Sequence, residues 1–148
     1  AAGQVREGVI AAVLRHPYFA RPAPKSLDRD SFAMLGPAVA QMDDADAAAT
    51  LTHAAAAAVG AGLNLLPTRP AAMLVCGGGR HNAAMMAALA ARCGVPVRAV
   101  DDLGLDGDMI EAQAFAFLAV RVLRGLPTSG PLTTGVPGPV CGGRISAP

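Results

Sequence analysis

Leu74-Val75-Cys76-Gly77-Gly78-Gly79-Arg80-His81-Asn82 is the stretch that decides the architecture. The apolar run from Ala71 to Cys76 has the length of a buried strand and ends at three successive glycines. Asn82 follows. Its side chain is of the type that caps a helix by accepting from first-turn amides, and the helix it predicts runs through Met85, Met86, Leu89 and Cys93. Past Gly94 a second apolar run, Val95 to Val100, can return parallel to the first, because the intervening helix supplies the crossover that parallel pairing requires. The expected class is therefore α/β. Glycines between a strand and a helix let a ligand approach the backbone unobstructed, and free amides at the helix start favour an anion or a polar ligand edge. No glycine stands three residues after Gly79, which disfavours the dinucleotide fingerprint, and no Gly-Lys-Ser/Thr follows, which disfavours a P-loop. Taken alone, the triple glycine reads equally as a tight connection.

Outward from this unit, Val5, Val9, Ile10, Val13 and Leu14 recur at helical spacing up to His16-Pro17, where proline disfavours helix in the preceding residue. Tyr18 to Asp30, with Pro22, Pro24 and several charges, predicts an ordered surface loop. Asp43 to Val59 reads as a helix with acids at its positive end, closed by Gly60, Gly62 and Pro67. Asp101 to Gly107 is the loop beyond the second strand, and Asp108 begins a last long helix. Ile110, Ala114, Phe117 and Arg121 lie on one side of it, with Phe115, Leu118 and Val122 on a second apolar face, so it is expected to be largely buried. Phe115 and Phe117 are assigned to the core with Met85 and Met86. From Leu126 the chain is rich in Gly and Pro, with one short strand expected around Val140 to Ile145. Residues 1–148 read as one domain.

Composition narrows the function. At 148 residues the chain fits one core, and a globule of that size removes roughly 70% of its unfolded surface from water. A content of 53% hydrophobic and 16% charged residues belongs to a packed protein. A net charge of +1 with 3% aromatics offers neither the basic stripe nor the stacking platform of a nucleic-acid binder. Ala45 to Leu66 is weakly polar, but it is mostly Ala and Gly, carries His53 and Asn64, and follows Asp43 and Asp44, so a packed helix is expected and not a membrane span. Ala1 to Val13 lacks a long apolar segment of the secretory type, and the absence of an initiator Met fits an excised chain. Cys76, Cys93 and Cys141 are odd in number and lack Cys-x-x-Cys spacing, which fits a reducing cytoplasm better than a disulfide framework or structural zinc.

Several residues invite two readings. Glu111 is a carboxylate able to bind a ligand or act on it, yet Asp108-Met109-Ile110-Glu111 also has capping-box spacing, worth about 1 kcal/mol without any catalysis. Lys25 and Arg29 are of the type that reaches an anionic ligand, or serves as a solvated or structural cation. His81 is near the glycines, while His16 and His53 are too scattered for a metal site, and Asp101, Asp102, Asp106 and Asp108 do not follow the calcium-loop pattern. No metal ligand is assigned.

His16-Pro17-Tyr18-Phe19, then Pro24-Lys25-Ser26 with Arg29 and Phe32, Cys76-Gly77-Gly78-Gly79 with His81-Asn82, Asp108 with Glu111-Ala112 and Phe115-Ala116, and finally Thr134-Gly135 follow one another in a distinctive order. In that order and spacing the chain resembles the carboxy-terminal half of anhydro-N-acetylmuramic acid kinase. The resemblance implies one ribonuclease-H-like lobe of the actin, hexokinase and Hsp70 fold class, incomplete without the amino-terminal half. It implies ATP-dependent conversion of 1,6-anhydro-N-acetylmuramic acid and water into N-acetylmuramic acid 6-phosphate during recycling of cell-wall fragments, in the cytoplasm. It further implies that Gly77, Gly78, Gly79 and Asn82 face the nucleotide, that Mg2+ arrives through the phosphates, and that a homodimer forms. The family's phosphate loop, its Asp-x-Gly-Pro-Gly segment and its general-base aspartate have no counterpart here, so the chain by itself is expected to be inactive, with Glu111 the one catalytic candidate within it. The alternative is a non-catalytic module derived from the same lobe, binding nucleotide or dimerising. Pro22-Ala23-Pro24-Lys25-Ser26 followed by Leu27-Asp28 departs from the Pro-Pro-Lys-Ser-Thr-Gly of many relatives, which touches only the role of that loop.

Overall fold

A computed structural model describes residues 3–146, with Arg29 described by its backbone alone. The first helix, α1 (Glu7–Leu14), stops just ahead of His16-Pro17 as the proline requires, and its apolar stripe buries Ile10 and Val13. Pro17–Ala20 and Arg29–Phe32 form single 3-10 turns, followed by the five-residue α2 (Leu35–Val39). These turn the expected loop into a folded knot. The His16 and Phe32 rings meet edge-on at 5.1 Å, and Phe19 stacks on Phe32 at 5.9 Å.

The long helix α3 (Asp44–Leu63) starts where Asp43 Oδ1 accepts from the amides of Ala45 and Asp46, each at 3.0 Å. It does not stop at Gly60 or Gly62. A Cβ at Gly60 would stand 2.8 Å from the Arg92 carbonyl oxygen, so the glycine lets a neighbouring helix backbone come close instead of breaking α3. Thr50 is fully buried in α3, and its hydroxyl accepts from the Arg6 amide at 3.0 Å, fixing the approach to α1.

β1 (Met73–Val75), α4 (Ala83–Cys93) and β2 (Val97–Ala99) follow as the glycine-bearing stretch foretells. The strands pair in parallel, with Met73 opposite Val97 and Val75 opposite Ala99. Asn82 Oδ1 accepts from the Met85 amide at 3.1 Å to start α4, and Gly94, at φ +60°, ends it. The core lies between α3, α4 and one face of the strands: Ala56, Ala88, Leu89, Cys93 and Val95 are buried, with Met73, Val75, Met85 and Val97 packed on them. A second cluster, Ile10, Ala54 and Ala57, joins α1 to α3. Leu74 and Arg98 lie on the opposite, exposed sheet face.

The last long helix, α5 (Ile110–Leu123), begins two residues later than expected and corrects the expectation of burial. None of its residues is buried; Phe115 is 64% and Phe117 59% exposed. Its apolar residues encircle the helix, the pattern of an element covered on more than one side, whereas the described residues cover it only in part, at Ile110, Leu118 and Val122. Beyond it comes α6 (Pro131–Thr134), and of the short strand expected around Val140 to Ile145 there is only an isolated antiparallel bridge from Val140 to Ser129. Paired at only one position, that segment lacks the ladder a strand needs. No helix among the described residues is long and apolar enough to cross a membrane.

Candidate functional site

Both parallel strands end on the same side, and the segments leaving them, Cys76 to Asn82 after β1 and Val100 to Asp108 after β2, lie side by side. In open α/β sheets, ligands bind in the crevice outside the carboxyl ends of the strands. Gly77 has φ +69° and ψ −177°, a conformation essentially confined to glycine, and it turns the chain sharply out of β1. Gly78–His81 then make one 3-10 turn that delivers Asn82 to its cap position. Gly78 and Gly79 differ from Gly77 in kind. Neither has positive φ, and a Cβ on either would meet nothing within 4 Å. The chain's own fold therefore does not demand glycine at these two positions, and the space in front of them is open.

Arg80 holds the two segments together. Its side chain is only 4% exposed, beneath the turn that the glycines form. Nε donates to Asp101 Oδ2 at 2.6 Å and Nη2 to Asp101 Oδ1 at 3.3 Å. Nη1 donates to Asp108 Oδ1 at 2.6 Å and Nη2 to Asp108 Oδ2 at 2.9 Å, while Nη1 also reaches the Gly77 carbonyl at 3.0 Å. Hydrogen bonding to Arg80 holds both carboxyls below the usual aspartate range, and Asp108 and Asp101 in turn push the guanidinium further up. The Gly77 amide donates to the Gly107 carbonyl at 2.9 Å, a second tie across the same gap.

Of the residues singled out from the sequence, Gly77, Gly78, Gly79 and Asn82 form one continuous rim. The Asn82 carboxamide oxygen is engaged in capping α4. Glu111 is exposed in the first turn of α5, three residues beyond the clamped Asp108. The capping box proposed for Asp108 and Glu111 does not form. Arg80 occupies the Asp108 carboxylate, and Asp106 Oδ1 accepts instead from the amides of Asp108 and Met109, at 3.0 and 3.3 Å. His81 is 65% exposed, with Nε2 3.9 Å from Asp108 Oδ1. Lys25 is structural: Nζ donates to the carbonyls of Tyr18, Phe19 and Arg21 at 2.8, 3.3 and 3.0 Å and lies 4.4 Å from the Tyr18 ring centre. The Arg29 side chain lies outside what is described. His16 accepts from the Tyr18 amide, and His53 accepts from Arg92, which also pairs with Glu7 at 2.5 Å.

The clamp itself escaped the sequence reading, which placed these aspartates only in the loop beyond the second strand and at the helix start. A cation directly after three glycines and four aspartates within eight positions, 101 to 108, are the signal that pointed to it. Among the described residues no group of three or more His, Cys, Asp or Glu is gathered as for a metal, and Cys76, Cys93 and Cys141 are all free thiols.

Parallel strands joined by a helix, with an open glycine turn at their carboxyl ends, place the chain in the α/β class, in which the carboxyl ends of the strands are the edge where ligands generally bind. The chain belongs to the anhydro-N-acetylmuramic acid kinase family, whose model matches residues 1–147. It is 63% identical over 148 residues to the anhydro-N-acetylmuramic acid kinase of Cereibacter sphaeroides, covering 100% of this chain and 40% of that protein. The anhydro-N-acetylmuramic acid kinase 1 of Jannaschia sp. is 55% identical over 148 residues with the same shares, and the kinase of Mesorhizobium japonicum is 54% identical over 146 residues, 98% of this chain and 38% of that protein. The chain thus spans about 40% of the length of the curated relatives it matches.

Proposed function

We propose that this chain is the nucleotide-side segment, one ribonuclease-H-like lobe, of an enzyme that converts 1,6-anhydro-N-acetylmuramic acid, ATP and water into N-acetylmuramic acid 6-phosphate and ADP, in the cytoplasm, during recycling of cell-wall fragments. The observation that carries this reading is the pair Gly78 and Gly79: open space before a backbone that its own chain does not require to be glycine. Adenosine or ribose lying against Gly77 to Asn82 would account for it.

In this reading water attacks the anomeric carbon and gives its proton to a carboxylate base outside this chain. The bond from that carbon to the bridging oxygen breaks, and the oxygen takes the γ-phosphoryl group as ADP leaves. Positioning and charge stabilisation dominate such chemistry, so the role of this segment is to seat the nucleotide while Glu111 stands near the sugar to bind hydroxyls or steady the water. Asp101 and Asp108 are engaged by Arg80, which fits Mg2+ entering on the phosphates and not in a protein cage of this segment. When bound, the ion would neutralise charge on the transferred group.

A module that binds nucleotide or dimerises without phosphoryl transfer is the second reading, favoured by the exposed apolar surface of α5, at Phe115, Phe117 and Leu123. A second copy of the chain or the amino-terminal lobe would cover it.

Mass spectrometry of the reaction with ATP, Mg2+ and 1,6-anhydro-N-acetylmuramic acid tests the proposal. The full-length protein should yield one product that has gained both water and phosphate, and the isolated chain none. A product carrying phosphate without water, or no ATP consumption by the full-length protein, refutes it.

A further inference from the structure

An arginine directly after a glycine turn in a kinase invites assignment as a phosphate ligand. The hydrogen bonds of Arg80 argue otherwise. A guanidinium carries five N–H donors. All five are engaged within the chain: Nε by Asp101, Nη1 by Asp108 and the Gly77 carbonyl, and Nη2 by Asp101 and Asp108. With its side chain 4% exposed and its charge met by two carboxylates, Arg80 has no donor left to offer a phosphate. Gly107 completes the device. A Cβ there would stand 2.4 Å from Arg80 Nε, so glycine at 107 is the condition for Arg80 to lie where it does, while the Gly107 carbonyl takes the Gly77 amide.

The geometry points to Arg80 as a positioning residue, with Gly107 as its seat: it makes the Gly77–Gly79 turn and the Asp101–Asp108 loop one rigid rim and thereby holds the turn in the shape that receives the adenosine part of the nucleotide. This rests on the reading that the turn faces adenine nucleotide. Lysine cannot replace it, because a single ammonium cannot engage two carboxylates bidentately and a carbonyl at once.

The test is calorimetric titration of adenosine, ADP and ATP into the full-length protein, its Arg80→Lys variant and its Gly107→Ala variant, the last leaving every charge in place. If Arg80 positions the turn, both variants bind all three ligands about tenfold more weakly, by one common factor and with unchanged stoichiometry, as when a loop bearing one good hydrogen bond to the ligand is let loose. ADP and ATP weakening far more than adenosine in Arg80→Lys would make Arg80 a direct phosphate ligand and overturn the inference. Unchanged affinities, with full or reduced stoichiometry, would reduce Arg80 to a stabiliser of the fold and overturn it equally. If Arg80→Lys does not fold, Gly107→Ala decides by the same criteria. Failure of the unaltered protein to bind any of the three ligands is a separate result: it removes the nucleotide reading, and this inference with it.

Discussion

Replacing each glycine of the turn with alanine separates what the fold needs from what a ligand needs. At Gly77, φ +69° with ψ −177° lies in a region that costs a non-glycine residue about 1–3 kcal/mol. With a urea m-value of about 2 kcal/mol/M, Gly77→Ala should lower the unfolding midpoint by about 0.5–1.5 M. At Gly78 and Gly79 neither positive φ nor a neighbour within 4 Å opposes a methyl group, and alanine removes freedom from the unfolded chain, so stability should hold or rise by up to about 1 kcal/mol. Binding should follow the opposite order: Gly78→Ala and Gly79→Ala, harmless to the fold, place a methyl group in the space proposed for the nucleotide and should weaken ADP by about tenfold or more, a loss of about 1.4 kcal/mol. Gly36→Ala is the control, since Gly36 also faces open space but sits in α2, away from the strand ends. It should leave ADP binding untouched. Urea titration followed by circular dichroism reads the first quantity and calorimetry the second. Unaltered ADP affinity in Gly78→Ala and Gly79→Ala would refute the argument that the open space belongs to a ligand; a neutral Gly77→Ala would refute the described turn.

Leu89→Ala empties the centre of the α3–α4 core, whose other buried members are Ala56, Ala88, Cys93 and Val95, too small to close the hole; a loss of about 3 kcal/mol in urea unfolding is expected, and under 1 kcal/mol would contradict that packing. Thr50→Val keeps the shape but deprives the Arg6 amide of its acceptor, so it should cost about 1–3 kcal/mol where Thr50→Ser costs much less, by the same measurement. Asp101 and Asp108 have folded pKa values below their ordinary value of 3.8, so their contribution is present above that value and is lost as the pH falls through the lower, folded values. The stability gap between the unaltered protein and Arg80→Met should therefore be constant from about pH 7 to 5 and narrow only as the pH falls below 3.8, and a gap that widens in acid would contradict the clamp.

The unit from β1 to β2 was legible because its signals are local: two apolar runs, glycines where the chain must turn, and an asparagine whose side chain reaches only three residues to the Met85 amide. Gly60 and Gly62 misled because helix propensity is a local quantity, and the reason for a glycine at 60 is the Arg92 carbonyl 32 positions away. α2 carries Pro37 within five residues and offers too short a pattern to read. The turn from Gly77 to Asn82 was readable, but its fastening was not, since Arg80 meets partners 21 and 28 residues on, and only the closed fold shows which aspartates face it. The two faces of α5 were read correctly as apolar; their burial depends on surface that the described residues do not supply.

The stack of α3, β1, α4 and β2 is continuous in the chain, from Asp44 to Ala99, and its largest interface, α3 against α4, joins two successive helices with only β1 and the glycine turn between them. Its loop closures are short, so this stretch should assemble early and fast, whereas the pairing of Glu7 with Arg92 closes 85 residues and can form only on a scaffold already built. The order of assembly should thus run from the middle of the chain outward, with α1 latching onto α3 and Arg92 once that stack has formed.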